Sequence, residues 1–208
     1  MLDEWRGRHE GEHLYIIGKG PSLRAFQPFD ELAGATCFGI NNAYKMFPHC
    51  SYVVMWHGEL YWSDEDYLRD QKDFQLIYSS FHRLPPSLPN AVDVPYLAEF
   101  ALPDSPQGTI EYWESHPNEW MYKATYQTAV KLCWWMGASR ITMIGFDFSL
   151  ENGRTADDSK LLVEVPLRKF TVPQVLALQA QGFEHLQGQL AARGIRLERI
   201  FNPSGLVR

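Results

Sequence analysis

Cysteine is scarce in this chain, and its few cysteines have no spacing that would build a disulfide framework or a zinc site. Cys37, Cys50 and Cys133 are odd in number and widely scattered, and no Cys-x-x-Cys pair is present. Zinc sites and disulfide scaffolds both need closely matched sets of such residues. We therefore expect three reduced core thiols, which are typical of a protein in a reducing compartment.

Basic runs, basic helical stripes and long apolar runs are also missing. The formal net charge is −6, and residues 1–13 are polar and charged, without the apolar stretch of a secretory signal. These absences argue against a general nucleic-acid surface, an anionic-membrane partner and a membrane span. We expect a cytoplasmic protein.

A glycine-rich turn at residues 16–23, IIGKGPSL, lacks features of two well-known nucleotide motifs. Leu23 replaces the third glycine of the dinucleotide fingerprint, and the Gly-Lys-Ser/Thr order of a P-loop is absent. The turn nevertheless joins an apolar strand to a helix start, where backbone N–H groups can converge on a phosphate. The predicted contacts are Gly18, Lys19, Gly20, Pro21 and Ser22. The alternative is a tight turn without a ligand.

Hydrophobic residues are plentiful, at 45% of 208 residues, and aromatic residues make up 14%. A chain of this length can form one domain with a substantial core. The aromatic surplus could line a ligand cleft or an interface, or simply fill a bulky core. One aromatic group is a candidate oligomer interface, namely Trp56, Tyr61, Trp62, Trp113 and Trp120.

Apolar strands alternate with helical segments along the chain. The pattern predicts strands at 13–17, 35–40, 51–55, 74–79, 140–144 and 195–200. It predicts helices at 22–32, 43–47, 59–70, 122–136 and 172–193. The order favours a single α/β Rossmann-like domain over residues 1–208, with a mostly parallel twisted sheet and helices on both faces. Two long loop insertions, 85–118 and 149–171, are expected as lid or interface segments.

Polar residues follow the carboxyl ends of the predicted strands, which is where open parallel sheets bind ligands. Outside the glycine turn they are Asn41, Asn42, His57, Glu59, Asp147, Asn202 and Ser204. Gly145, after the strand at 140–144, and Thr125, near the start of the helix at 122–136, complete the candidate site residues. The amides of Asn41 and Asn42 could bind a base or a ribose, or could cap the helix that follows. Thr125 could offer its hydroxyl and helix N–H groups to an anion, or could be only an N-cap.

His57 and Asp147 are the candidate catalytic residues. His57 could act as a general base near neutral pH, or be ordinary polar surface. Asp147 lies between two phenylalanines, so it could accept from a sugar hydroxyl, hold a cation or anchor neighbouring loops. Asp157 and Asp158 could join a divalent metal or be solvated. No metal site is predicted from these residues.

Four sequence blocks in this order resemble one superfamily. They are IIGKGPSL, FGINNAY at 38–44, TYQTAVKLCWWMGASRITMIGFDF at 125–148 and IRLERIFNPSGL at 195–206. The superfamily is the Rossmann-like group of Cst-type bacterial sialyltransferases and MptE-like (DUF115) proteins. Residues 42–44 and 56–62 are most similar to phage-type members, for which the expected location is the host cytoplasm.

The resemblance implies a nucleotide cleft, with residues 18–22, Asn41 and Thr125 on the cytidine monophosphate part of a sugar donor. Lys19 replaces the family's asparagine in the turn, and the family's base histidine before the last long helix has no counterpart in RKFTVP at 168–173. The family's two phosphate-binding tyrosines fall near Ser149 and Thr155.

Three functions stay open at this point. The first is a glycosyltransferase-like transferase that uses a nucleotide-activated sugar, of CMP type, and an unknown acceptor. The second is a catalytically inactive binding or assembly module, with homo-oligomerisation as one expectation. The third is an MptE-like pyrophosphokinase, for which Mg²⁺ would bridge the nucleotide phosphates. Mg²⁺ is not required by the first function.

Overall fold

In a computed structural model of the protein, the described residues fold around one parallel sheet of seven strands. The described residues are 2–55, 68, 73–78, 91–94, 104–120, 124–149 and 172–205. The strands are β1 (His13–Ile17), β2 (Cys37–Ile40), β3 (Tyr52–Met55), β4 (Gln75–Tyr78), β5 (Ala91–Asp93), β6 (Arg140–Ile144) and β7 (Arg196–Ile200). The α-helices whose bounds lie within the described residues are α1 (Ile110–Ser115), α2 (Thr125–Trp135) and α3 (Val172–Ala191). The predicted α/β class and parallel sheet are therefore confirmed.

The strand order is β5-β4-β3-β2-β1-β6-β7, with every neighbouring pair parallel. From β1 the chain builds outward through β2 to β5, and it then returns to the other side of β1 with β6. The order therefore reverses between β1 and β6, which are paired from His13↔Arg140 to Ile17↔Ile144. Ligands of doubly wound sheets bind beyond the carboxyl ends of the strands at such a reversal.

One face of the sheet is covered by the α-helices. Leu14, Ile16, Ile141 and Met143 point to this face and are fully buried with apolar residues of α1, α2 and α3. Alternate strand residues point to opposite faces. The strand residues that point the other way, such as Ile17 and Ile144, accordingly lie in a second core on the other face.

The second face is covered by short 3-10 helices at Pro21–Phe26, Asp30–Leu32 and Asn41–Lys45. The single helix predicted over 22–32 is wrong, because the segment divides around Pro28. Proline lacks an N–H donor and disfavours helical backbone in the residue before it. The predicted helix at 43–47 is also wrong in type and position. Of the helix predicted at 59–70, only Leu68 is described, and it is helical and buried.

The expectation of a long irregular segment over 85–118 is wrong for part of that segment. It contains strand β5, which pairs with β4, and helix α1, which begins after the Thr109 cap. The Thr109 hydroxyl oxygen accepts from the Tyr112 N–H at 3.2 Å, which satisfies one of the free donors at the helix start. Both elements are short and lie among Pro, Asp and Ser residues, so their apolar periodicity is weak. The insertion predicted at 149–171 lies outside the described residues apart from Ser149.

A buried lysine fixes residues 104–120 to helix α2. Lys131 is fully buried, and its Nζ donates to the carbonyl oxygens of His116 at 3.2 Å and Glu119 at 2.5 Å. The same Nζ lies 4.9 Å from the ring centre of Trp120 and 6.0 Å from that of Trp113. Both tryptophans are buried, so they belong to the core and not to an aromatic interface patch. The other three members of that proposed patch, at 56, 61 and 62, lie outside the described residues.

Candidate functional site

The turn after β1 packs directly against the turn after β6. The Gly18 N–H donates to the Ile144 carbonyl oxygen at 2.8 Å, and the Gly20 N–H donates to the Gly145 carbonyl oxygen at 2.6 Å. Ser22 adds two further bonds, because its N–H at 3.1 Å and its hydroxyl at 2.9 Å both donate to Asp147 Oδ2. The two turns are therefore locked together at the strand-order reversal.

The glycines of these turns are explained by this close approach. A Cβ at Gly18 would lie 2.5 Å from the Gly145 carbonyl oxygen, and a Cβ at Gly20 would overlap the Asp147 carboxylate. Real side-chain carbons do not come so close, so neither position accepts a larger residue without movement. Gly145 has a φ of 74°, which also favours glycine.

The predicted phosphate cradle is thus partly occupied by the protein itself. Three of its N–H groups, at Gly18, Gly20 and Ser22, already donate to β6 and the turn after it. Pro21 opens the 3-10 helix as predicted, and Lys19 lies partly exposed in the turn. Asp147 anchors the turn after β1 to the turn after β6 through Oδ2, which is one of the three roles that the sequence leaves open for it. Asp147 Oδ1 has no hydrogen-bond partner in the described part of the chain.

Asn41 and Asn42 directly follow β2 and lie inside a 3-10 helix, Asn41–Lys45. The position before that helix is Ile40, which has no capping side chain, so the predicted capping role is not observed. Asn42 is 8% exposed, and its Oδ1 has no hydrogen-bond partner among the described residues. A buried acceptor without a donor is costly, and native structures usually supply a partner from protein, water or ligand.

Thr125 is the first residue of α2 and is buried at 7% exposure. The cap position before the helix is Ala124, so the prediction that Thr125 is an N-cap is wrong. The hydroxyl of Thr125 is placed at the helix start, as the anion-binding prediction requires. His57 lies outside the described residues, as do Asp157 and Asp158.

One motif that the sequence-based reasoning missed is His9-Glu10-x-x-His13, which matches a zinc-peptidase pattern. That pattern binds zinc when both histidines share one face of a helix. Here His9 lies in a turn and His13 begins β1, and their rings contact different partners, Tyr52 and Thr142. Across the ranges described above, no group of three or more His, Cys, Asp or Glu residues is placed to hold a metal ion.

A second residue that was missed is Arg199, near the carboxyl end of β7. Its Nη1 donates to the Phe146 carbonyl oxygen at 3.1 Å, so it reaches the same turn after β6 that holds Ser22. Its guanidinium carbon lies 4.7 Å from the ring centre of Phe148 and 4.6 Å from that of Phe183. Strand alternation could have found it, because Arg199 shares a face with the buried Leu197.

Two solved structures resemble this chain in fold, and both are of the sialyltransferase CstII from Campylobacter jejuni. One, in complex with the substrate analogue CMP-3FNeuAc, has a TM-score of 0.54 at 15% identity over 90% of this chain and 80% of that chain. The other, in complex with cytidine-5'-monophosphate, has a TM-score of 0.53 at 15% identity over 95% of this chain and 82% of that chain.

The fold resembles that of a sialyltransferase. The likeness concerns the fold, because only 15% of the aligned residues are identical. No family model matches the sequence, and no curated protein matches it either. Among the described helices, none is long and apolar enough to cross a membrane.

Proposed function

We propose that this chain is a glycosyltransferase-like transferase that binds a nucleotide-activated sugar donor of the CMP type. The observation that carries the proposal is the buried amide oxygen of Asn42, which lacks a partner in the described part of the chain. Asn42 lies just beyond the carboxyl end of β2, and β2 pairs in parallel with β1, the strand that leads into the glycine turn. A ribose hydroxyl or a base amine would supply the missing donor.

The fold supports the same placement. The strand order reverses between β1 and β6, and nucleotides bind at such reversals in doubly wound sheets. The two CstII complexes with CMP-type ligands make the cytidine series the first to test. The closer resemblance to MptE-like or phage-type proteins is also a proposal, based on the sequence blocks alone.

We assign the residues around this donor as follows. Asn41, Asn42 and Thr125 would bind the nucleoside part, while Gly145 and the turn from Gly18 to Ser22 shape the wall beside the phosphate. Lys19 would supply the positive charge for that phosphate, because three turn N–H groups are already used. Pro21 fixes the start of the helix that follows.

In the transfer, the acceptor oxygen forms the new glycosidic bond while the bond between the sugar and the phosphate of CMP breaks and CMP leaves, so a group must take the proton of the acceptor hydroxyl. We propose His57 or Asp147 for this step. Asp147 Oδ2 is held by Ser22, which leaves Oδ1 as the oxygen to face the acceptor. Mg²⁺ is not needed for this assignment.

The test is a nucleotide titration, with and without Mg²⁺, in which binding is measured by isothermal calorimetry and stabilisation by thermal unfolding. Cytidine nucleotides should stabilise the wild-type protein by about 2.7 kcal/mol at a concentration a hundred times the Kd. Asn42→Ala should bind them at least about tenfold more weakly, because the buried hydrogen bond is lost. The matched control is Asn118→Ala, at an exposed asparagine in the segment before α2. Equal affinity in Asn42→Ala, or no binding by the wild type, contradicts the proposal.

An inactive nucleotide-binding module is the second candidate, and one observation favours it. Three N–H groups of the glycine turn already donate hydrogen bonds to β6 and the turn after it. Nucleotide binding without transfer or hydrolysis of a CMP-sugar would support this candidate. Binding of ATP that depends on Mg²⁺ would instead support the pyrophosphokinase.

A further inference from the structure

Arg199 places its guanidinium at the edge of the proposed site, with few partners in the described part of the chain. A guanidinium has five N–H donors, and only Nη1 of Arg199 has a hydrogen-bond acceptor in the described part of the chain. Arg199 also forms no ion pair there, unlike Arg140, Arg193 and Arg196, which all pair with glutamates. Most of its donors therefore have no acceptor among the described residues.

The side chain is nevertheless held in place. The guanidinium packs on the rings of Phe148 and Phe183 and is anchored by the Phe146 carbonyl oxygen. Arginine binds well to aromatic faces and keeps its planar fork of donors in such contacts. A fixed orientation lowers the entropic cost of binding an anion.

Arg199 is cationic, and no carboxylate of the described residues forms an ion pair with it. Burial lowers the pKa of the Arg199 guanidinium, while the charges of Glu184, Tyr126 and Asp147 oppose this effect. A guanidinium titrates so far above neutral pH that it stays charged. Asp147 is occupied by Ser22 through Oδ2, and Glu184 is exposed on α3.

The location joins this guanidinium to the reversal point of the sheet. Arg199 lies opposite Met143 in β6, and its side chain extends past the end of that strand to Phe146. Phe146 immediately follows Gly145, whose carbonyl oxygen accepts from Gly20. Phe201, which is 47% exposed and has its ring centre 5.6 Å from the guanidinium, offers an apolar surface beside it.

We infer that Arg199 forms an oxyanion-binding subsite at the ends of β6 and β7, which takes a phosphate or carboxylate group of the bound substrate. Paired N–H donors match the two oxygens of either group. This inference rests on the proposed function in one respect, namely that the oxyanion belongs to a nucleotide-activated sugar. The oxyanion has two sources within that class, the donor phosphate and a carboxylate on the transferred sugar.

The test compares the affinities of four probes by isothermal calorimetry: inorganic phosphate, cytidine, CMP and CMP-3FNeuAc. The variants are Arg199→Met, which keeps an unbranched apolar side chain for the aromatic contacts, and Arg199→Lys, which keeps the charge but loses the fork. The control is Arg196→Met, on the same strand, where the arginine is already paired with Glu198. Circular dichroism and thermal unfolding verify that each variant is folded.

Arg199→Met should weaken at least one anionic probe by about tenfold to a hundredfold and leave cytidine unchanged. Arg199→Lys should weaken the same probe by a smaller factor, about threefold to tenfold, and it decides the question if the methionine variant fails to fold. Arg196→Met should stay within about twofold of the wild type. Loss of CMP and phosphate affinity identifies the phosphate as the source, whereas loss for CMP-3FNeuAc alone identifies the carboxylate.

The inference is overturned if every anionic probe binds the Arg199 variants as tightly as the wild type, or if the wild type binds none of them. Its failure is distinct from failure of the proposed function. CMP binding that is independent of Arg199 keeps the function and removes the subsite. Phosphate binding that depends on Arg199, without any affinity for cytidine or CMP, keeps the subsite and contradicts the proposed function.

Discussion

One group of polar side chains extends from His13, at the amino end of β1, to Glu198, in the middle of β7. A directed chain of hydrogen bonds joins these side chains across β1, β6 and β7. The Thr142 hydroxyl donates to Glu198 Oε1 at 2.9 Å, so its oxygen is left to accept from His13 Nε2 at 2.8 Å. His13 Nδ1 then accepts from the Tyr15 hydroxyl at 3.1 Å. A neutral imidazole, protonated on Nε2, satisfies every partner in this chain.

This arrangement predicts that His13 destabilises the protein as the pH falls. Burial, followed by the nearby charge of Arg140, lowers the pKa of His13 from 6.5 to about 4. Between these two values the unfolded chain binds a proton that the folded chain does not, so stability is present above about pH 6.5 and is lost toward pH 4. His13→Gln lacks this titration. Urea unfolding should show the stability advantage of the wild type shrinking over this window, by at most about 1.4 kcal/mol per pH unit. Parallel curves for the two proteins would contradict this prediction.

Lys131 predicts a pH dependence in the alkaline range. Burial lowers the pKa of Lys131 from 10.5 to about 8, against the opposing charge of Glu119. Between these values the unfolded chain holds a proton that the folded chain has lost, so this group adds stability as the pH rises from about 8 to 10.5. The free energy of unfolding of the wild type minus that of Lys131→Met should therefore rise over this range and be flat from pH 6 to 7.5. Thiols and phenols that titrate in the same range are common to both proteins. A difference that is flat from pH 8 to 10.5 would refute the prediction.

At the scale of elements, the contact between the β1 and β6 turns decides the geometry of the proposed site. Apolar strands bounded by punctuating residues made β1 and β6 predictable to the residue, and helix α3 to within two residues of its end. The sequence could not predict how the turns would meet. The glycines indicated a close approach, but only the structure shows that the approaching group is the protein's own Asp147 carboxylate.

The pair Ser22 and Asp147 should therefore behave as one unit in stability. Asp147→Ala leaves both the N–H and the hydroxyl of Ser22 without their acceptor and should cost about 1 to 3 kcal/mol. Ser22→Ala removes only the hydroxyl bond and should cost about 0.5 to 1.5 kcal/mol. In the double variant the costs should be less than additive, by at least about 0.5 kcal/mol in chemical denaturation. Ser149→Ala, at an exposed serine two residues further along, serves as the control, and additive costs would show that the two turns are not coupled.

At the scale of the whole molecule, the sheet order brings together residues that are far apart in sequence. The sequence places Asn42, Thr125 and Asp147 after or beside strands, and parallel strands direct their carboxyl ends to one edge. The general location of a site could therefore be predicted without coordinates. Two features of the site could not be predicted from the sequence. Within the described part of the chain, Asn42 Oδ1 has no hydrogen-bond partner and most N–H donors of Arg199 have no acceptor. Both features depend on the positions of all neighbouring side chains, which the sequence does not give.

Contacts between distant parts of the chain explain why the sequence pattern wrongly predicted an irregular segment at residues 104–118. Residues 104–120 contribute Ile110, Trp113 and Trp120 to the main core, and Lys131 binds two of their backbone carbonyls. These contacts join positions more than ten residues apart, and no local periodicity records them. Short elements such as β5 and α1 form because the tertiary structure supports them.

A nucleotide site at the carboxyl edge of the sheet is tested most directly by an NMR titration of the isotope-labelled protein with CMP, monitored through the backbone amides and the side-chain amides of asparagine. We expect the largest shifts at Lys19, Asn41, Asn42, Thr125 and Gly145, and a shift of the Asn42 side-chain amide with them. Residues at the amino ends of the strands, such as His13 and Arg140, should stay unchanged. An absence of shifts, or shifts concentrated around His13 and Arg140, would contradict a nucleotide site at the carboxyl edge of the sheet.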